Sequence, residues 1–66
     1  MNILLNGENL PLAENTTAAV LLEQMGLTGK RLAIEVNHNI LPRAEFDSYV
    51  FQPNDRVELV QAIGGG

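Results

Sequence analysis

One run of good helix formers, Ala18 to Met25, stands among segments that otherwise alternate apolar and polar residues. That single helix limits the fold more than any other feature. An amphipathic helix must bury its apolar face against a second layer, and only strands remain here to build one. Asn15-Thr16-Thr17 precedes the run and supplies side chains suited to cap its first N–H groups. Leu21, Leu22 and Met25 fall at i, i+1 and i+4 and share one face, with Ala18 a small residue one turn earlier. Gly26 is placed to close the helix in a left-handed conformation. Asn15-Thr16-Thr17 also matches a glycosylation sequon, read as chance because nothing at the N-terminus resembles a secretory signal.

The strands are read from alternation and turn chemistry. Asn2 to Asn6 alternates with Ile3 and Leu5 on one face, and Asn6-Gly7 is the preferred pair for a tight hairpin turn with positive φ at both positions. Leu10 to Ala13 is the return strand, and Pro11, which has no N–H to give a ladder, suggests an edge position or a point where no ladder donor is needed. After Gly29-Lys30, Leu32 to Val36 sets Leu32, Ile34 and Val36 on one face. Asn37-His38-Asn39 is a turn, which leaves His38 exposed and without a catalytic or ligand role. Ile40-Leu41 is a short strand ended by Pro42, and Arg43 to Tyr49 makes a helical turn with Phe46 as its buried anchor and Tyr49 partly buried. Pro53-Asn54-Asp55 turns the chain into the last strand, Arg56 to Val60, with Val57 and Leu59 on one face. The expected class is α+β, a small mixed sheet packed on one main helix.

Composition narrows the function. Sixty-six residues make one domain, and a domain this small buries only about 60% of its unfolded surface. The chain has no cysteine, which removes disulfides, thiolate metal sites and a cysteine nucleophile, and its one histidine cannot build a metal site alone. No run approaches transmembrane length, so a soluble cytoplasmic protein without membrane attachment is expected. The net charge is −4, from eight acidic and four basic side chains; Lys30 and Arg31 are adjacent, Arg43 and Arg56 isolated. With few aromatics and no basic stripe, nucleic-acid binding is not expected. An acidic body suits a basic partner, raising association rate more than affinity, or simply keeps the chain soluble.

The chain closes on Gly64-Gly65-Gly66, dividing it into a folded body, residues 1–63, and a flexible glycine tail, residues 64–66. Glycine takes backbone angles closed to other residues and lets the tail pass close to another protein's backbone. Extended, Ala62 to Gly66 reaches about 17 Å, enough to enter a partner's active site. A frayed terminus is the competing reading. Val60, Ala62 and Ile63 are apolar where the chain leaves the body, and Leu4 is expected beside them on the outward sheet face. These four residues read either as a partner contact or as cover for the edge of the core. Arg43 holds a carboxylate, on a partner or within the fold; at a turn the local role is expected.

Three stretches together resemble the ThiS family of bacterial sulfur carriers in thiamin biosynthesis. They are Leu21-Leu22-Glu23-Gln24 in the helix, Val36-Asn37-His38-Asn39-Ile40-Leu41-Pro42-Arg43 in the middle, and Val60-Gln61-Ala62-Ile63-Gly64-Gly65-Gly66 at the end. The resemblance covers essentially the whole chain, with Gly64 a small variation ahead of the diglycine. It implies a ubiquitin-like β-grasp with the first and last strands side by side at the centre of the sheet.

It also implies a mechanism. An adenylating partner resembling the E1 enzymes of ubiquitin pathways (ThiF in this family) uses ATP to form an acyl-adenylate at Gly66. Sulfur delivered from an upstream persulfide donor converts that terminus to a thiocarboxylate, and thiazole synthase (ThiG) takes the sulfur for the thiazole ring. Gly64 and Gly65 then enter the partner's active site, where a side chain at Gly65 would restrict φ and widen the tail. With no phosphate-binding loop and no acid–base constellation, the chain is a cosubstrate with no bound cofactor, and the ATP belongs to the partner. Zero cysteines leave the terminal carbonyl to carry sulfur. Related carriers for molybdopterin synthase or tRNA thiolation, a ubiquitin-like modifier, and a plain interaction domain remain open beside this reading.

Overall fold

The computed structural model describes residues 1–61, and two tight turns set its outer strands. At the first, Asn6 (φ 49°) and Gly7 (φ 83°) both take the left-handed conformation, joining β1 (Asn2–Leu5) to β2 (Glu8–Pro11). Pairing resumes directly after this two-residue turn, with Leu5 opposite Glu8. The return strand therefore begins two residues before the expected Leu10. At the second turn Asn37 (φ 52°) and His38 (φ 71°) do the same, joining β3 (Leu32–Val36) to β4 (Asn39–Leu41). His38 is exposed in that turn, as expected.

Between these hairpins runs β5 (Arg56–Gln61), giving the strand order β2-β1-β5-β3-β4. It is parallel to β1 and antiparallel to β3. The first and last strands are thus neighbours inside the sheet, and Pro11 lies on an edge strand where its missing donor is harmless.

The helix α1 (Ala18–Gln24) crosses one face of this sheet. Its three leading N–H groups find separate acceptors, as a helix end requires. Val20 N–H donates to the Thr17 hydroxyl at 3.2 Å, while Ala18 and Ala19 donate to the carbonyls of Tyr49 (3.1 Å) and Phe46 (2.9 Å). At the other end Gly26 is left-handed, Leu27 N–H donates to the Leu22 carbonyl at 2.8 Å, and Gly26 N–H to that of Glu23 at 3.0 Å. This is a Schellman closure. It changes one expectation: Met25 is the cap residue, 42% exposed, and Leu27, past the reversal, packs on the core in its place.

Ile3, Ala18, Leu21, Ile34, Phe51 and Val57 form the most buried part of the core. Phe51 is the largest fully buried side chain, and truncating such a residue to alanine costs about 3–5 kcal/mol. The expected anchor, Phe46, is only partly buried. Its segment makes a single 3-10 turn, Arg43–Glu45, too short to carry Phe46 into the core. The Tyr49 ring meets Phe51 edge-on, with centroids 5.5 Å apart and planes at 81°.

Asp55 is the one buried carboxylate among the described residues, 6% exposed. Oδ2 accepts from the Tyr49 hydroxyl at 2.6 Å and from Gln52 N–H at 2.9 Å, and Oδ1 accepts from Asn37 Nδ2 at 3.0 Å. Among the described residues every buried side-chain polar atom has a partner. Burial first, then the hydrogen bond and charge of Asp55, push the Tyr49 phenol from 10.0 up to about 12. A raised phenol pKa stabilises the fold fully below pH 10.0, and that contribution disappears as pH rises through about 12. Tyr49 is the only tyrosine, so the phenolate absorbance of the folded chain should titrate near pH 12. Unfolding in urea should become easier between pH 10.0 and 12 in the native chain, and lack that alkaline component in Tyr49→Phe.

Candidate functional site

The strand that leads to the glycine tail is held by an unusual use of asparagine. Along the parallel pairing, Leu4 N–H donates to the Asp55 carbonyl (2.9 Å) and Asn6 N–H to that of Val57 (2.8 Å). The next rung would take Leu59 N–H to the main-chain carbonyl of residue 6. There the chain has already turned away, and the Asn6 side-chain Oδ1 accepts from Leu59 N–H at 2.9 Å instead. Asn6 Nδ2 reaches the Leu59 carbonyl at 3.5 Å.

The start of β5 repeats the device on its other side. Asn37 N–H donates to the Arg56 carbonyl at 2.7 Å, and the returning bond, from Arg56 N–H, goes to Asn37 Oδ1 at 2.9 Å. Asn37 Nδ2 is anchored in turn by Asp55. Each hairpin therefore contributes one left-handed asparagine whose side chain stands in for its own main-chain carbonyl.

The sheet face away from the helix is open. Val57 and Leu59 point toward the core, so Arg56, Glu58 and Val60 point outward. Val60 is 59% exposed. Leu4, half-buried, lies opposite Arg56, and Val60 is four residues further along β5, about 13 Å away. The two share a face without being neighbours. Ala33 is the residue paired with Val60, and a shallow hollow of about 350 Å³ opens there, lined by Arg31, Leu32, Ala33, Arg43 and Val60. Ala62, Ile63, Gly64, Gly65 and Gly66 lie outside the described residues. The Arg43 side chain is exposed and, among the described residues, holds no carboxylate within the fold.

No three His, Asp or Glu side chains come together among the described residues in a way that would hold a metal ion. No helix among them is long and apolar enough to cross a membrane.

The ThiS family model matches residues 3–66. The chain belongs to the ThiS family. It is 33% identical over 66 residues to the sulfur carrier protein ThiS of Escherichia coli strain K12, covering 100% of both chains. It is 30% identical over 66 residues to a thiazole synthase of Paramagnetospirillum magneticum, of whose length it spans only 20%. The crystal structure of a thiamine biosynthesis protein (ThiS) from Geobacter metallireducens matches with a TM-score of 0.84 at 29% identity, over 100% of both chains. The five-stranded mixed sheet with its one helix is the ubiquitin-like fold of this family.

Neither asparagine was expected to act beyond its turn. Asn-Gly announces a hairpin, but nothing in alternation or turn propensity says where a side chain goes once the turn is made. Asn6→Gly isolates the effect, because glycine keeps the positive φ and removes only the two side-chain bonds. Hydrogen exchange at Leu59 N–H in that variant should be about tenfold faster, equivalent to losing about 1.4 kcal/mol of local protection, with exchange in α1 changed far less.

Proposed function

We propose that this chain is a sulfur carrier of thiamine biosynthesis, serving as a cosubstrate of partner enzymes rather than as a catalyst. The observation that carries this reading is the end-to-end likeness to a sulfur carrier protein, joined to a sequence that closes on Gly65-Gly66. The body supports it physically. Its central strand β5, which precedes the glycines in sequence, is held by the Asn37 side chain at Arg56 and by the Asn6 side chain at Leu59.

The chemistry starts from a carboxylate, which is a poor electrophile because oxide would have to leave. A Gly66 carboxylate oxygen attacks the α-phosphorus of ATP held by an E1-like adenylating partner, and pyrophosphate departs. The acyl-adenylate then has AMP as a good leaving group. A persulfide sulfur displaces it, and cleavage of the acyl disulfide by a thiol leaves the thiocarboxylate at Gly66. Gly64 and Gly65 carry that group into the partner's site, where the absence of a Cβ keeps the tail narrow. Thiazole synthase is the acceptor in this account. A thiazole synthase that contains a stretch similar to this whole chain supports that partner, since fusion holds carrier and acceptor at high effective concentration.

Intact mass of the chain purified from its own host, before and after a thiol-alkylating reagent, tests the proposal. Alkylation is needed because sulfur for oxygen adds nearly the same mass as oxidation of Met1 or Met25, and it is clean because the chain has no cysteine. A single adduct mapped to Gly66 is the expected result. A terminus that stays an unreactive carboxylate after incubation with the activating enzyme, ATP and a sulfur donor would overturn it.

A further inference from the structure

We propose that Asn6 is a site of spontaneous covalent modification: its side chain cyclises onto the Gly7 nitrogen and opens to isoaspartate, and the conversion releases β5 from the end of β1. The chain has seven asparagines, and Asn6 alone is followed by glycine. A side chain on the following residue shields that residue's backbone nitrogen, so only Asn6 has a neighbour that leaves the attack open. Asn6 and Gly7 are both exposed. A Cβ placed on Gly7 would meet nothing within 4 Å, and among the described residues Gly7 N–H donates no hydrogen bond.

The reaction needs only water. The Gly7 nitrogen attacks Asn6 Cγ, the Cγ–Nδ2 bond breaks, and ammonia leaves with the proton taken from that nitrogen. Water then opens the cyclic imide. Addition at Cγ gives aspartate with the original backbone. Addition at the main-chain carbonyl gives isoaspartate, whose backbone runs through Cβ and Cγ and is longer by a carbon. Isoaspartate dominates because the main-chain carbonyl carbon is the more electrophilic.

The fold meters the reaction. Ring closure needs Asn6 Cβ and the Gly7 nitrogen cis across the Cα–C bond. Asn6 is left-handed, with φ 49°, and at the ψ of about +47° usual for that conformation the two atoms lie nearly trans. The Asn6 N–H bond to the Val57 carbonyl (2.8 Å) and the Leu59 N–H bond to Asn6 Oδ1 (2.9 Å) hold the residue there. Asn37 provides the comparison within the chain. It has φ 52° and accepts from Arg56 N–H through Oδ1 at 2.9 Å, but His38 follows it.

Either product damages the rung at Leu59. Aspartate puts an oxygen where Asn6 Nδ2 stands 3.5 Å from the Leu59 carbonyl, so a donor becomes a second acceptor. Isoaspartate lengthens a two-residue turn across which Leu5 and Glu8 are directly paired, and so displaces the acceptor that Leu59 N–H uses. Each also adds a negative charge to a chain already at −4, which lets ion exchange separate the products.

The full chain, aged in neutral buffer made with heavy-oxygen water and followed by peptide mass spectrometry, tests this. Label should enter at residue 6 first, mostly as isoaspartate, with Asn37 and the other five asparagines unconverted over the same interval. Ageing in urea should speed the conversion. Gly7→Asn tolerates the left-handed turn and should lose the conversion at residue 6 over that interval. In the isoaspartate fraction, exchange at Leu59 N–H should be about tenfold faster, with exchange in α1 changed far less. Conversion spread evenly over the asparagines, or kept in Gly7→Asn, would overturn the assignment of the site. So would its absence at Asn6 in the folded chain while the unfolded chain converts there. An isoaspartate fraction in which Leu59 N–H exchanges as in the unaltered chain would overturn the release of β5.

Discussion

β5 lies between two strands, and it outruns both of them. β1 turns away at Asn6 before the parallel ladder is complete, and β3 turns away at Asn37 before the antiparallel one is. In both places the asparagine that makes the turn lends its side-chain carbonyl to the rung its backbone has abandoned. Each such bond contributes about 0.5–1.5 kcal/mol net, a useful share of the stability of a small domain. The same two residues allow the turns through positive φ and complete the strand between them. The sheet order β2-β1-β5-β3-β4 is completed by that arrangement.

The helix is tied to the same strand by a different route. Its leading N–H groups end on the carbonyls of Phe46 and Tyr49. Tyr49 in turn donates to Asp55, immediately before β5. Phe51 N–H returns a bond to the Thr16 carbonyl just ahead of the helix, and the Phe51 ring fills the centre of the core. Irregular chain from 46 to 55 therefore locks one end of the helix, buries Phe51 and seats the only buried carboxylate among the described residues. Local opening of this segment would loosen helix and strand together.

Strands, turns and helix were legible because alternation and turn chemistry are local signals. Ile3 and Leu5, Ile34 and Val36, and Val57 and Leu59 take the faces that their spacing assigns. Met25 was misplaced because helical spacing was carried past the point where Gly26 reverses the chain, and Leu27 has no periodic neighbour to announce its contact. Phe46 is expected to be buried because it sits in a segment with helical character, whereas Phe51 belongs to no regular element that would announce its burial. Asp55 read as a turn former, since its burial depends on Tyr49 and Asn37 arriving from elsewhere in the chain. At the site, the apolar character of Val60 marks it in the sequence, but Arg31 and Ala33 meet it through the β3–β5 register and Arg43 reaches the same hollow from the end of β4. Leu4 belongs to a different stretch of the same face.

The central claim of the proposed function is that sulfur travels on the C-terminal glycines while the fold stands without them. The most direct test is sulfur transfer to the thiazole synthase reaction by a chain lacking Gly65 and Gly66, with its urea midpoint recorded beside that of the full chain. The account predicts an unchanged midpoint and no transfer. Transfer retained by the shortened chain would contradict it, because sulfur would then have to travel on some other group in a protein that has no thiol.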